Sequence, residues 1–502
     1  MRTKKATINV IVNIISLVIT TVMGFILSKV FLHKMGVEIN GLNSIYLNVM
    51  AILSISELGI AGAINYNLYK PILENDYKKI SSIMYFYKKC YRVIGIFILA
   101  ISLILSFFIH YLIKDATLSY NFITITFIIY SLNTISTYFL AYIRNLYYGF
   151  QQVYIPTFID FMCKFIKTII QIILIYKYKS YIVYLVVNVL FDFMANFIIY
   201  KIGLKKYNKI NFKDKTIDKY LEKKVFNDVK SLSIIQLTNA MINFTDTIII
   251  SKFVGIIETG LYANYKLITT QLNNVVNSIF NGIGASIGNL LAENNINKIK
   301  KNLIYLEYFC FILSIICFNG LMIFTQPFIS VFFGKKYLLS KIVVILLSFL
   351  FYININRQVI TYFLRTGGYH ERMKKTAIME AGLNLVISMA LVFRYGIIGV
   401  LIGTIISSLY AFFANSVLLY KIYDFNYINY IFMQIRFLVL SILFYIVFYY
   451  FMTTVTSMKV LLIWLVIFAI TLLMYIVIII CHEKELKELI RILKSKYVSN
   501  KK

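Results

Sequence analysis

The chain has 502 residues; 60% are hydrophobic, and Lys and Arg outnumber Asp and Glu by 51 to 21, a formal net charge of +30. Its mean hydropathy of +0.78 excludes an ordinary soluble globular domain. A basic chain invites a nucleic-acid partner, but here the charge sits in short loops between apolar runs, so none is expected.

Apolar runs of about 20 residues follow one another almost without pause, each long enough to cross a bilayer as a helix. They are continuous, as in YIVYLVVNVLFDFMANFIIY (181–200), where a transmembrane β-barrel would alternate at period 2. The first, 8–32, follows MRTKK; it is too long for a signal-peptide core and no small-residue cleavage site follows, so it reads as an uncleaved first span. Further spans are expected at 41–65, 90–112, 120–144, 153–176 and 181–203. A basic segment, 204–230, then interrupts the pattern. Its apolar Ile210, Ile217, Tyr220 and Leu221 suggest an amphipathic helix on the cytoplasmic surface. Six more spans follow at 231–254, 262–288, 303–325, 338–362, 375–394 and 397–420, then two at 430–452 and 459–481, about fourteen in all. Pro327 is expected to end the ninth. Assigned to the nearer span end, 36 of the 51 Lys and Arg fall on the N-terminal side and 11 on the other, which places both termini in the cytoplasm.

Three phrases occur twice. GVEINGLNSIY (Gly36–Tyr46) and GIIETGLYANY (Gly255–Tyr265) both read G-x4-G-L-x3-Y. GAINYNL (62–68) is matched by GASIGNL (284–290), and ENDYKKI (74–80) by ENNINKI (293–299). Their order and near-constant offset make the chain a duplicated six-helix unit. Six is even, so the copies are parallel repeats about an axis along the membrane normal. The expected fold class is therefore all-α polytopic: a six-helix lobe at 1–203, the connector 204–230, a second six-helix lobe at 231–421, two additional transmembrane helices in 422–481 and a basic cytoplasmic tail at 482–502.

The repeated hairpin, the stretch ELGIAGAINYNLYKPILENDYKKI and the span count resemble the polysaccharide transporter family, the O-antigen and capsule repeat-unit flippases of the MOP exporter superfamily. The resemblance implies a MATE-like pair of pseudo-symmetric six-helix lobes around a central cavity. It also implies alternating access that carries an undecaprenyl-diphosphate-linked glycan to the outer leaflet of a bacterial plasma membrane, beside a glycan polymerase and glycosyltransferases. A lipid II flippase and a MATE-type drug antiporter are the alternatives within the superfamily.

Ionisable residues inside spans face a bundle interior or a wet cavity, because each costs about 2.5–3.5 kcal/mol at mid-helix. Asp160, Lys164, Lys167 and Gln171 share one face of the fifth span. Polar stripes also run through Gln236, Asn239, Asn243 and Asp246, through Lys266, Thr270, Asn273, Asn277 and Asn281, and through Asn354, Arg357, Thr361 and Arg365. A diphosphate needs cations, and Arg144, Lys164, Lys167, Lys266 and Arg357 are the candidates to line the cavity. Lys164 has a second reading, a local salt bridge with Asp160 four residues earlier. The in-span carboxylates Glu57, Asp160, Asp192, Asp246 and Glu380 are candidates for proton or sodium coupling, Asp246 first among them because no basic residue sits one turn away. The five cysteines and four histidines have no metal-ligand spacing, and no cofactor is indicated. A P-loop is absent, and the outer loops are too short to hold an enzyme's catalytic domain, so no enzymatic activity is expected.

Overall fold

A computed structural model describes residues 2–54, 70–212, 244–293, 295–424, 427–452 and 457–482, together with 67, 68, 238, 240–242 and 455. The first lobe contains α1 (Arg2–Met35), α2 (Val37–Leu53), α3 (Tyr77–Phe108), α4 (Tyr120–Ala141), the short α5 (Arg144–Gly149), α6 (Tyr154–Tyr178) and α7 (Tyr181–Lys206). After residues 244–254, helical with a closing π turn, come α8 (Ile256–Ala292), α9 (Ile296–Phe332), α10 (Lys341–Thr366), α11 (His370–Ile422), α12 (Tyr427–Phe451) and α13 (Met458–His482).

Nine helices among the described residues are long and apolar enough to cross a membrane. One of them, α11, is two spans joined at Gly396, where φ 55° and ψ −132° break the helix. Helices α2, α6 and α8 coincide with the second, fifth and eighth expected spans; α2 is shorter, while α6 and α8 carry the polar stripes. The expected seventh span is described only from 244 onward, apart from 238 and 240–242. The large apolar side chains left exposed, such as Phe97, Ile104, Leu190, Phe393, Val447 and Leu473, are what a lipid-facing surface requires. The chain is a nearly all-helical, multi-pass membrane protein.

Several boundaries differ from expectation. Helix α3 begins at Tyr77, thirteen residues before the expected span, and α9 runs seven residues beyond its span at each end. Pro327 does not end α9; the helix continues through it to Phe332. Proline removes one backbone donor, and a membrane helix tolerates that where neighbouring groups satisfy the freed carbonyl. Most of the connector 204–230 and the tail 483–502 lie outside the described residues.

The chain divides into two compact units, 1–263 and 264–502. In the first unit α1 packs on α6, α6 on α7, α7 on α4 and α4 on α3. Its core is unusually rich in buried tyrosine, including Tyr46, Tyr87, Tyr138, Tyr142 and Tyr147. In the second unit α9 packs on α10 and α10 on α11. The last two helices join α9 through aromatic rings: Phe311 stacks on Phe437 at 3.7 Å between centroids, and Phe324 meets Phe448 and Phe468 edge-on.

The first and third repeated phrases have physical jobs. Asp76 and Asn295, equivalent positions of the third phrase, cap α3 and α9 by accepting from Lys79 N and Lys298 N at 2.9 and 3.0 Å. Tyr46 and Tyr265, which close the first phrase, are fully buried; Tyr46 donates to Ile123 O at 2.7 Å, and Tyr265 accepts from Leu339 N at 2.8 Å. The middle glycines meet each other. A Cβ on Gly41 would overlap the Ile256 carbonyl and stand 3.1 Å from Gly260 N, and one on Gly260 would overlap the Val37 carbonyl and stand 3.0 Å from Gly41 N. Asn40 Nδ2 also donates to Gly260 O at 2.8 Å. Next to this contact, Lys114 N donates to Ser251 O and Ile256 N to Lys114 O, at 3.1 and 3.2 Å. These bonds are why residues 250–263 belong to the first unit.

Candidate functional site

The polar centre of the first unit is built on α5, α6 and α7. The break between α4 and α5 sets Arg144 at the start of a short helix. From there its guanidinium reaches α6 and grips Asp160 with two parallel bonds, Nη1–Oδ2 at 2.7 Å and Nη2–Oδ1 at 2.8 Å. Its Nε donates to Asn196 Oδ1 on α7 at 3.0 Å. Two turns along α6, Lys167 Nζ donates to Asp192 Oδ1 at 2.6 Å and to Asn188 Oδ1 at 2.7 Å, both on α7. Asn188, Asp192 and Asn196 follow one another at four-residue spacing, so one face of α7 supplies three of the four partners, and Asp160 on α6 is the other.

Lys164 stands apart from these pairs. Asp160 turns to Arg144, so the local Asp160–Lys164 bridge does not form. Among the described residues no carboxylate lies within 4 Å of Lys164, which is exposed in a groove lined by Ile19, Thr20 and Met23 of α1 and by Phe165 and Thr168. Three cations face two carboxylates in this cluster, and the surplus positive charge rests on Lys164. Gln171, the last member of the stripe, is buried and donates to Tyr184 O.

In the second unit Arg357 on α10 and Glu380 on α11 form another two-pronged pair, Nη1–Oε1 at 2.5 Å and Nη2–Oε2 at 2.6 Å. The Glu380 side chain is 1% exposed. One turn on, Asn384 donates to Thr404 Oγ1 at 3.0 Å. Lys266 is half-buried on α8, with no carboxylate within 4 Å among the described residues. Asn277 accepts from Gln358 Nε2 at 3.2 Å, and Arg365 is exposed at the end of α10.

Three candidate cations, Arg144, Lys167 and Arg357, are thus held by Asp160, Asp192 and Glu380, three of the candidate carboxylates. Asp246 is 2% exposed and faces the buried Tyr262. Glu57, Gln236, Asn239 and Asn243 lie outside the described residues, as does the side chain of Asn281. One buried carboxylate escaped the reading of the sequence: Glu307 on α9, which meets Tyr420 from the last turn of α11. Its sequence signal is a lone acid inside the expected span 303–325, close behind the loop lysines 300 and 301.

No family model matches the chain, and no curated protein is similar to it in sequence. Solved structures do match. The lipid II flippase MurJ in an inward closed conformation aligns with a TM-score of 0.71 at 17% identity, over 93% of this chain and 98% of its own. An inward-facing multidrug resistance MATE family transporter of the MOP superfamily aligns with a TM-score of 0.63 at 13% identity, over 80% of this chain and 95% of its own. The Vibrio cholerae MATE transporter VcmN, in a point-mutant form, gives 0.60 at 12% identity, over 84% and 98%. The fold is that of the MATE and MurJ transporters.

Proposed function

We propose that the protein is a flippase that carries an undecaprenyl-diphosphate-linked oligosaccharide repeat unit from the cytoplasmic to the outer leaflet by alternating access. It serves capsule, O-antigen or exopolysaccharide synthesis from a bacterial plasma membrane, with both termini cytoplasmic and with a glycan polymerase and glycosyltransferases as partners. The observation that carries this reading is the surplus cation at Lys164, flanked by Arg144 and Lys167. An exposed lysine at mid-span is costly against hydrocarbon, so it faces water or an anionic cargo. A diphosphate that reaches Lys164 competes with Asp160 for the fork of Arg144 and with Asp192 for Lys167. Release lets the carboxylates take their cations back and leaves only Lys164 without a carboxylate. Lys266 and Arg357 extend the same chemistry to the second unit, and Asp246 is the first choice for a coupling proton or sodium ion.

The MurJ likeness spans more of the chain than the MATE likenesses do, which favours a lipid-linked cargo over a cationic drug. It also keeps lipid II as the second reading. Lipid extraction from a strain lacking the protein, with mass analysis of undecaprenyl-linked glycans, tests both. One accumulating lipid-linked oligosaccharide and loss of surface polysaccharide, in a strain that still grows, is the expected result. Growth arrest with accumulating lipid II moves the assignment to the peptidoglycan precursor, and unchanged lipids and polysaccharide refute both.

A further inference from the structure

Glu307 lies eleven residues into α9, about 16 Å from its start at the helical rise. It is 2% exposed, and among the described residues no Lys, Arg or His approaches its carboxyl within 4 Å. Its one hydrogen-bond partner among them is the buried Tyr420, whose hydroxyl oxygen stands 2.8 Å from Oε1 and 2.7 Å from Oε2. Both contacts are of hydrogen-bond length, yet a phenol brings a single proton. The second contact has room for a proton of the carboxyl's own. This separates Glu307 from Asp160, Asp192 and Glu380, each of which is neutralised by a cation.

The surroundings are closed and tyrosine-rich. The Tyr430 ring on α12 lies tilted against Tyr420 at 4.4 Å between ring centroids, and Tyr427 lies 6.1 Å from Tyr420. Among the described residues Cys310, one turn along α9, is a further titratable neighbour, and α10 contributes the backbone at Val359 beside it. Near the start of α9, Lys300 Nζ binds Asp424 O at 2.9 Å, where the loop after α11 begins.

We propose that Glu307 and Tyr420 form an exchangeable proton site within the second unit, whose loading and unloading is coupled to export; the coupling rests on the transporter reading above. In the loaded state the carboxyl O–H and the phenol O–H each fill one of the two contacts. On unloading, the carboxyl O–H bond breaks, its electron pair stays on the carboxylate and the proton leaves to water. Tyr420 keeps its proton and donates it to the carboxylate, which holds the new charge in place. The charge of the site changes by one, and no oxidant or second reactant is involved.

Infrared difference spectroscopy on the full chain, reconstituted in phosphatidylethanolamine–phosphatidylglycerol vesicles, tests the site directly. A carbonyl stretch of a protonated carboxyl should disappear as pH rises, be absent from Glu307→Gln, and persist with a shifted frequency in Tyr420→Phe. A monodisperse elution profile of each variant checks folding. In cells, Glu307→Gln should abolish export or make it insensitive to a protonophore. An unchanged band in Glu307→Gln would overturn the proposal, and so would full export by that variant with wild-type protonophore sensitivity. The flippase reading fails separately, by the absence of accumulating lipid-linked glycan in the deletion strain.

Discussion

Replacing Arg357 by methionine separates a structural ion pair from a cargo-binding one. The substitution keeps most of the aliphatic volume but strips Glu380, 1% exposed at its side chain, of both bonds from the guanidinium. Breaking a buried pair by removing one partner costs about 3–5 kcal/mol, because the other charge is left uncompensated. Arg357→Met with Glu380→Gln leaves two neutral side chains, and its cost falls to about 1 kcal/mol, that of one imperfect hydrogen bond. The double variant should then be more stable than Arg357→Met by about 2–4 kcal/mol. For a unit of this size each kcal/mol moves Tm by roughly 2–4 °C, so the single variant should melt about 6–20 °C below wild type and the double variant within a few degrees of it. Thermal unfolding of the purified protein in detergent measures both. A single variant no less stable than the double would refute the pair as a buried, mutually compensating unit. Export adds the functional half: if Arg357 also holds phosphate, the double variant regains its stability and still fails to export.

Lys164→Gln should abolish export while leaving Tm within about 1 °C, since no ion pair is broken; full export would remove Lys164 from the cargo site. Lys167→Gln should lower stability by roughly 1–3 kcal/mol, less than Arg357→Met because Asp192 keeps a third of its exposure, and it should lower export as well. Gly260→Ala should cost about 1–3 kcal/mol by overpacking against the backbone at Val37 and Gly41, and adding Gly41→Ala should cost much less than the first substitution, because both disrupt one contact. Asp246→Asn should remove or flatten the dependence of export on the ion gradient; an undiminished dependence would exclude Asp246 as the coupling group.

The membrane helices were legible in the sequence because each is a continuous apolar run, and the repeated phrases stand out because they hold capping and close-packing residues with few substitutes. The helix ends were less so. Tyr77 begins α3 well outside the apolar run because Asp76 caps it, and a cap acts through the backbone whatever the hydropathy beyond. Side-chain partners were least legible. The four-residue spacing of Asp160 and Lys164 suggested a local bridge, but Arg144, sixteen residues away in sequence, offers a planar fork that a lysine lacks. Glu307 was overlooked beside the loop lysines, although a lone acid inside a span is itself the signal.

The contact of Gly41 with Gly260 explains why one phrase is written twice. Each middle glycine meets the backbone of the other phrase, so the same geometric demand falls on both. Here the demand is backbone approach: a side chain at either glycine strikes the opposite copy, at Ile256 or at Val37. Shrinking the Ile256 or Val37 side chain would not make room, because the nearest atom to each glycine is a backbone carbonyl. The polar bonds beside the glycines have no such constraint, and they differ. Asn40 reaches across to Gly260 O, while Thr259, at the matching position, bonds back to Gly255 O within its own helix. Replacing Asn40 with Thr should therefore cost only about 1 kcal/mol, the worth of one hydrogen bond, and leave the glycine contact intact. A loss of Tm as large as that of Gly260→Ala would show that the side-chain bond, and not the backbone approach, holds the two copies together.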